Sequence, residues 1–351
     1  MARKRDIQLP AGDHAKQLAA GAAAVAGAAA AGGKLARDRR SRSARDHERA
    51  FRLHPGEPVP EGVRRIARGQ LDLAHDQLEG ASKRRLPDGV HDTRKSLKRL
   101  RASVRLARGA LGDDVYHREN EAFRDTGRRL SGVRDATVLI ETLDELVDAA
   151  GAELPKGATV DLRSRLERDR EEAIDAVRSD GAVTAAVVDE LDSARARTAA
   201  WTFHADGFDA LDPGLRRIYR RGRKAMRRAS DEATSENLHE WRKRVKDLWH
   251  ALQILRPAAP KRMRKLAKRT HGLSNLLGDD HDLAELRSYA VTHPQCFGEA
   301  GQLAALTALI DRRRASLQRR AFEAGFDLYS QRPKRFAGKI GRGLDKQAHT
   351  S

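Results

Sequence analysis

The segment His91-Asp92-Thr93-Arg94-Lys95-Ser96-Leu97-Lys98 has a counterpart later in the chain, His239-Glu240-Trp241-Arg242-Lys243-Arg244-Val245-Lys246. Both read His-acid-x-Arg-Lys-x-aliphatic-Lys. A second matched element follows each copy. Leu130-Ser131-Gly132-Val133-Arg134-Asp135 ends 44 residues after the first His, and Leu277-Gly278-Asp279-Asp280-His281-Asp282 ends 43 after the second. Two matched pairs at nearly equal separation mark an internal duplication, and the two halves are expected to be related by a pseudo-twofold axis. Within each copy the His, Arg, Lys and Lys fall at i, i+3, i+4 and i+7, which is one face of a helix. Arg101 and Arg105 extend the first stripe over about 21 Å at a rise of about 1.5 Å per residue. Trp249 stands where the second copy would match Arg101. Leu97, Leu100 and Val104, and Val245, Leu248 and Leu252, supply an apolar face for the core.

Outward from these helices the pattern stays helical. Val63, Ile66, Ala67, Leu71, Ala74 and Leu78 recur at spacings of three and four. Helices are expected over about 90–110, 115–149, 160–178 and 182–199. A second series follows near 214–231, 235–255, 261–290 and 300–327. Pro87-Asp88-Gly89, Asp206-Gly207 and Asp212-Pro213-Gly214 punctuate the chain. No alternating run supports a sheet. The expected fold is all-α, two pseudo-symmetric four-helix bundles from the duplication. Residues 1–56 are read as a flexible basic and Ala/Gly-rich tail, 57–205 and 206–330 as the two helical halves, and 331–351 as an unpacked basic tail. Leu18 to Gly33 is read as a tether rather than a cleaved signal, because Ala and Gly make a weak apolar core and polar residues precede it.

The 351 residues carry 69 Lys and Arg against 50 Asp and Glu, a formal charge of +19. That excess points to an anionic partner: nucleic acid, an acidic membrane surface or a phosphate polymer. Charge alone does not choose among them. Aromatics are only 4% of the chain, which disfavours base stacking and places nucleic acid second. No segment reaches membrane-spanning length and hydrophobicity. The single Cys296 excludes an intrachain disulfide and fits a reducing, cytoplasmic compartment.

A solvated helix usually mixes charge signs, whereas these stripes have nearly one sign and occur twice. Arg offers a planar fork to phosphate oxygens and Lys a point charge. His91, Arg94, Lys95, Lys98, Arg101, Arg105, Arg134, His239, Arg242, Lys243, Lys246 and His281 are therefore the candidate anion ligands. Asp135 and Asp282 are expected to position them. Asp279-Asp280-His281-Asp282 has metal-binding residue types, but successive residues on a helix point apart. No catalytic residue, metal or cofactor is assigned.

At these residues the chain resembles the CHAD family, the conserved histidine α-helical domain. The resemblance rests on the two His-x-x-Arg-Lys-x-x-Lys helices, the Arg134-Asp135 element, residues 277–282 and the opening segment Phe51 to Leu78, over about 57–330. It implies two four-helix bundles around a basic pocket, binding of inorganic polyphosphate, and association with polyphosphate granules. Binding without turnover is expected because no activated nucleophile, base pair or metal cage is found in the sequence. Many members carry a triphosphate-tunnel (CYTH) enzyme domain with Glu-x-Glu-x-Lys, a signature missing from this sequence.

Overall fold

The structure, a computed structural model, describes residues 50–79, 86–130, 132–155, 157–179 and 181–348. The Ala/Gly tract and the basic stretch before residue 50 lie outside the described residues. The described chain is all-α, with no strand among the described residues. The first six helices are α1 Val59–Glu79, α2 Leu86–Leu106, the short α3 Arg108–Leu111, α4 Asp113–Arg129, α5 Gly132–Ala150 and α6 Val160–Ser179. The next six are α7 Gly181–Ala199, α8 Asp212–Asp231, α9 Ser235–Ile254, α10 Pro260–Thr292, α11 Ala300–Leu328 and α12 Pro333–Ala348.

Helix α2 forms because its apolar residues repeat at helical spacing. Leu97, Leu100 and Val104 are all buried, as the sequence predicts. Thr93 and Ser96 also turn inward, and the Thr93 hydroxyl donates to the Ala74 carbonyl of α1 at 3.1 Å. Helix α9 starts at Thr234, whose side chain accepts a bond from the Asn237 N–H. That cap sets the phase that buries Leu238, Trp241, Val245, Leu248 and Leu252 and leaves the basic stripe on another face.

Two cores result. The larger joins α1, α2, α4 and α7 with α8, α9, the first half of α10, the C-terminal end of α11 and α12. The smaller joins α5 and α6 with the second half of α10 and with α11. Each core thus draws on both halves of the sequence. In each half a helix precedes and packs on the motif helix, α1 on α2 and α8 on α9. One long helix was expected over 115–149. Instead α4 ends at Arg129 and α5 begins at Gly132, whereas the corresponding α10 runs unbroken for 33 residues.

The structure differs from the sequence reading at both chain boundaries. Phe51 and Leu53, assigned to the tail, are buried, and Leu53 N–H bonds to the Ile254 carbonyl at 3.1 Å. Residues 331–351, read as unpacked, contain α12. Phe336, Ala337 and Ile340 are buried, and the Phe336 ring stacks on Tyr219 of α8 at 4.0 Å. Those rows pack because two glycines admit them. A Cβ on Gly341 would stand 2.4 Å from the Phe208 ring, and one on Gly343 would stand 2.2 Å from the Ala258 carbonyl oxygen.

Candidate functional site

The second-half stripe lies against the middle of α10. The Arg242 side chain crosses α10 at Gly278, with Nη2 3.7 Å from where a Cβ would stand, and Nη1 is 3.7 Å from Asp282 Oδ1. Asp282, expected to position basic side chains, stands beside Arg242. His239 meets His281 of α10 with ring centroids 4.2 Å apart, tilted by 44°. Four of the expected residues, two from each motif, therefore converge. Lys243 is more exposed and pairs with Glu240 on its own helix at 2.7 Å.

Lys246 connects this group to the first stripe. It is half-buried, and burial lowers its pKa to about 8, with Arg242 and Lys98 pushing the same way and Asp282 opposing. Lys98 belongs to α2, so cations from the two motif copies stand close enough to oppose one another. Lys246 itself makes no hydrogen bond or ion pair among the described residues. Arg242 Nε and His239 Nδ1 are likewise buried without a hydrogen-bond partner among the described residues. Donors left unsatisfied in a half-buried place are costly unless something binds there.

The same environment keeps the histidines neutral. Burial first, then Arg242, His239, Lys246 and Arg314, lower the pKa of His281 to about 3. Burial, Lys243 and Arg242 also lower that of His239. Arriving phosphate charge would act in the opposite direction.

On α2, His91, Lys95 and Lys98 are exposed and Arg94 is half-buried, with all four on the outward face the spacing requires. Arg134 and Asp135 fall in the first turn of α5, which packs on α10 and touches α2. Their side chains lie outside what the structure describes.

Two expected ligands are committed elsewhere. Arg105 is buried and forms an ion pair with Asp247 of α9, while its Nη2 donates to Asn120 at 3.2 Å. Arg101 Nε donates to the same Asn120 oxygen at 3.2 Å, and burial, followed by Arg105, lowers its pKa to about 10. The stripe therefore stops at Lys98, because beyond it α2 crosses α9 and the row turns inward. The acidic run in α10 also divides. Asp280 is 1% exposed and accepts from Arg314 Nε at 3.1 Å and Gln318 Nε2 at 2.8 Å, while Asp282 faces Arg242. The sequence alone assigns no role to Asp247, Arg314 or His250. His250 is buried at the α2–α9 crossing beside Phe51, whose ring it meets edge-on at 5.9 Å.

No helix of the described residues is long and apolar enough to cross a membrane. No curated protein matches the chain. Among solved structures the fold is similar to PptA from Streptomyces chartreusis, with a TM-score of 0.57 and 16% identity, over 77% of this chain and 100% of that one. The model of the CHAD domain family matches residues 65–290, a span that holds both basic helices and the α10 motif. On that match, over more than half its length, the chain belongs to the CHAD domain family.

Proposed function

We propose that the chain binds inorganic polyphosphate, without turnover, through the outward stripe of α2 and the stripe of α9 with His281. The observation that carries this reading is Lys246, a half-buried ammonium with no described bonding partner and with Arg242 and Lys98 as its electrostatic neighbours. Asp282 opposes the lowering of the Lys246 pKa only in part, and a bound anion would oppose it further. Phosphate suits the donors present: the Arg242 fork, Lys point charges and imidazole N–H groups. Arg94, Lys95, Lys98, Arg242, Lys243 and Lys246 carry the affinity in this reading, with His91, His239 and His281 as secondary donors and Arg134 at the edge. Arg101 and Arg105 support the crossing instead. The biological setting that follows is a cytoplasmic protein recruited to polyphosphate granules.

The test compares paired variants in polyphosphate titrations at two ionic strengths. Arg94→Ala with Lys98→Ala, and Arg242→Ala with Lys246→Ala, should each weaken binding on the order of 10²-fold, since each removes two charge-assisted contacts. Arg39→Ala with Arg40→Ala should change it little. Equal loss in all three would reduce the binding to diffuse attraction toward a basic protein. Stronger retention of DNA than of polyphosphate at matched salt would favour nucleic acid.

A further inference from the structure

Helices α1 and α8 each precede and pack on a motif helix, yet their charges differ greatly. Helix α1 carries three Arg against four Asp and Glu. Helix α8 carries eight Arg and Lys against two Asp. Both present an apolar row to the same core, so the fold does not require the charge on α8. Like charges three and four apart also weaken a helix.

At the N-terminal end of α8 this charge lines a cleft of about 480 Å³. The cleft exists because α8 begins hard against the end of α2. A Cβ on Gly214 would stand 1.9 Å from the Leu106 carbonyl oxygen, and one on Gly109 would stand 3.1 Å from Pro213. Arg108 of α3, Arg217 and Arg220 of α8, and Lys334 of α12 converge on it. Its two acids are already engaged: Asp113 holds Arg108 Nε at 2.7 Å, and Asp212 holds Arg216 Nη2 at 2.7 Å. Arg217, Arg220 and Lys334 are exposed and make no ion pair among the described residues. The lining holds no aromatic ring on which a base could stack. Lys98 lies in α2 and Arg108 in α3, ten residues on, with the half-buried Arg101 and the buried Arg105 between them. The cleft and the stripes therefore share no residue.

We propose that this cleft is a second site for a short run of linked phosphates, held by Arg217, Arg220 and Lys334 against the α2–α8 junction. It takes the same ligand chemistry as the stripes, and to that extent rests on the reading above, but on separate side chains. A protein with two such sites holds a long polyphosphate chain more tightly than either site alone, once the chain spans both.

Calorimetric titration of the full chain with sodium tripolyphosphate tests this. Wild type should show two sites. Arg217→Ala with Arg220→Ala and Lys334→Ala should lose one of them, by about 10- to 100-fold in affinity. Arg242→Ala with Lys246→Ala should lose the other. Arg319→Ala with Arg320→Ala and Lys268→Ala removes the same charge from exposed positions and should keep both. A single wild-type site abolished only by the stripe variant would overturn the cleft and leave the stripe reading intact. A single site abolished only by the cleft variant would do the reverse. Equal loss in the cleft and control variants would also overturn the cleft. All three cleft side chains are exposed, so circular dichroism should show an unchanged fold.

Discussion

Arg105 of α2 and Asp247 of α9 form an ion pair in which the two side chains are only 10% and 15% exposed. Asp247 also accepts from Arg244 Nη1 at 3.1 Å, so one carboxylate neutralises two guanidinium groups where the motif helices cross. Removing one member of a buried pair leaves the other without its counter-charge. Arg105→Ala should lower stability by about 2–4 kcal/mol in urea unfolding, while polyphosphate affinity of the folded variant stays near wild type. A large loss of affinity with unchanged stability would return Arg105 to the ligand set.

Lys246 gives the binding a pH dependence of definite sign. Its pKa in the free protein is about 8, and a bound anion favours the charged form and raises it. The contribution of Lys246 to affinity is thus full below about pH 8 and is lost as pH rises above it. Titrations at about pH 7 and about pH 9.5 should show weaker binding at the higher value in wild type. Lys246→Arg, which stays charged, should flatten the difference. A fall that persists in Lys246→Arg assigns the titration to another group.

His250 sets a different dependence, on stability. Burial, followed by Arg99, lowers its pKa to about 3 from 6.5. A base with a depressed folded pKa contributes stability that is full above the unfolded value and lost as pH falls toward the folded one. From pH 6.5 down to about 3 this group alone removes at most about 1.4 kcal/mol per pH unit. His281 acts in the same direction. Urea midpoints should drop on acidification, and His250→Gln should make the drop shallower.

The docking of α12 depends on Gly341 and Gly343. Gly343→Ala places a methyl group within 2.2 Å of a backbone oxygen, which cannot swing aside as a side chain can. The expected loss is about 1–3 kcal/mol, with earlier protease cleavage near residue 333. Unchanged melting and cleavage would mean that α12 is not held in this register.

The helices and their core faces were legible because apolar spacing reports directly on packing, as Leu97, Leu100 and Val104 show. The stripe was legible up to Lys98 for the same reason. The pairing of Arg105 was not legible because its partner stands 142 residues away, and a side chain's position on its own helix does not reveal what crosses it. Asp280 and Asp282 look alike in sequence, yet a rotation of two residues sends one into the core and the other to Arg242. Helix α12 was hidden by its charge. Its apolar row is just Phe336, Ile340 and Leu344 among basic residues, and the glycines that let it dock read as loop signals.

The hydrogen bond from Leu53 to Ile254, with Phe51 lodged beside His250, has a bearing on biosynthesis. The first motif helix leaves the ribosome long before the segment that closes over the α2–α9 crossing can find its acceptor. Until about residue 254 has emerged, Phe51 and Leu53 lack their final packing surface, and Arg105 lacks Asp247. The early half of the chain therefore waits with exposed apolar surface, a state open to chaperone capture during translation, and reaches its final form when α9 arrives.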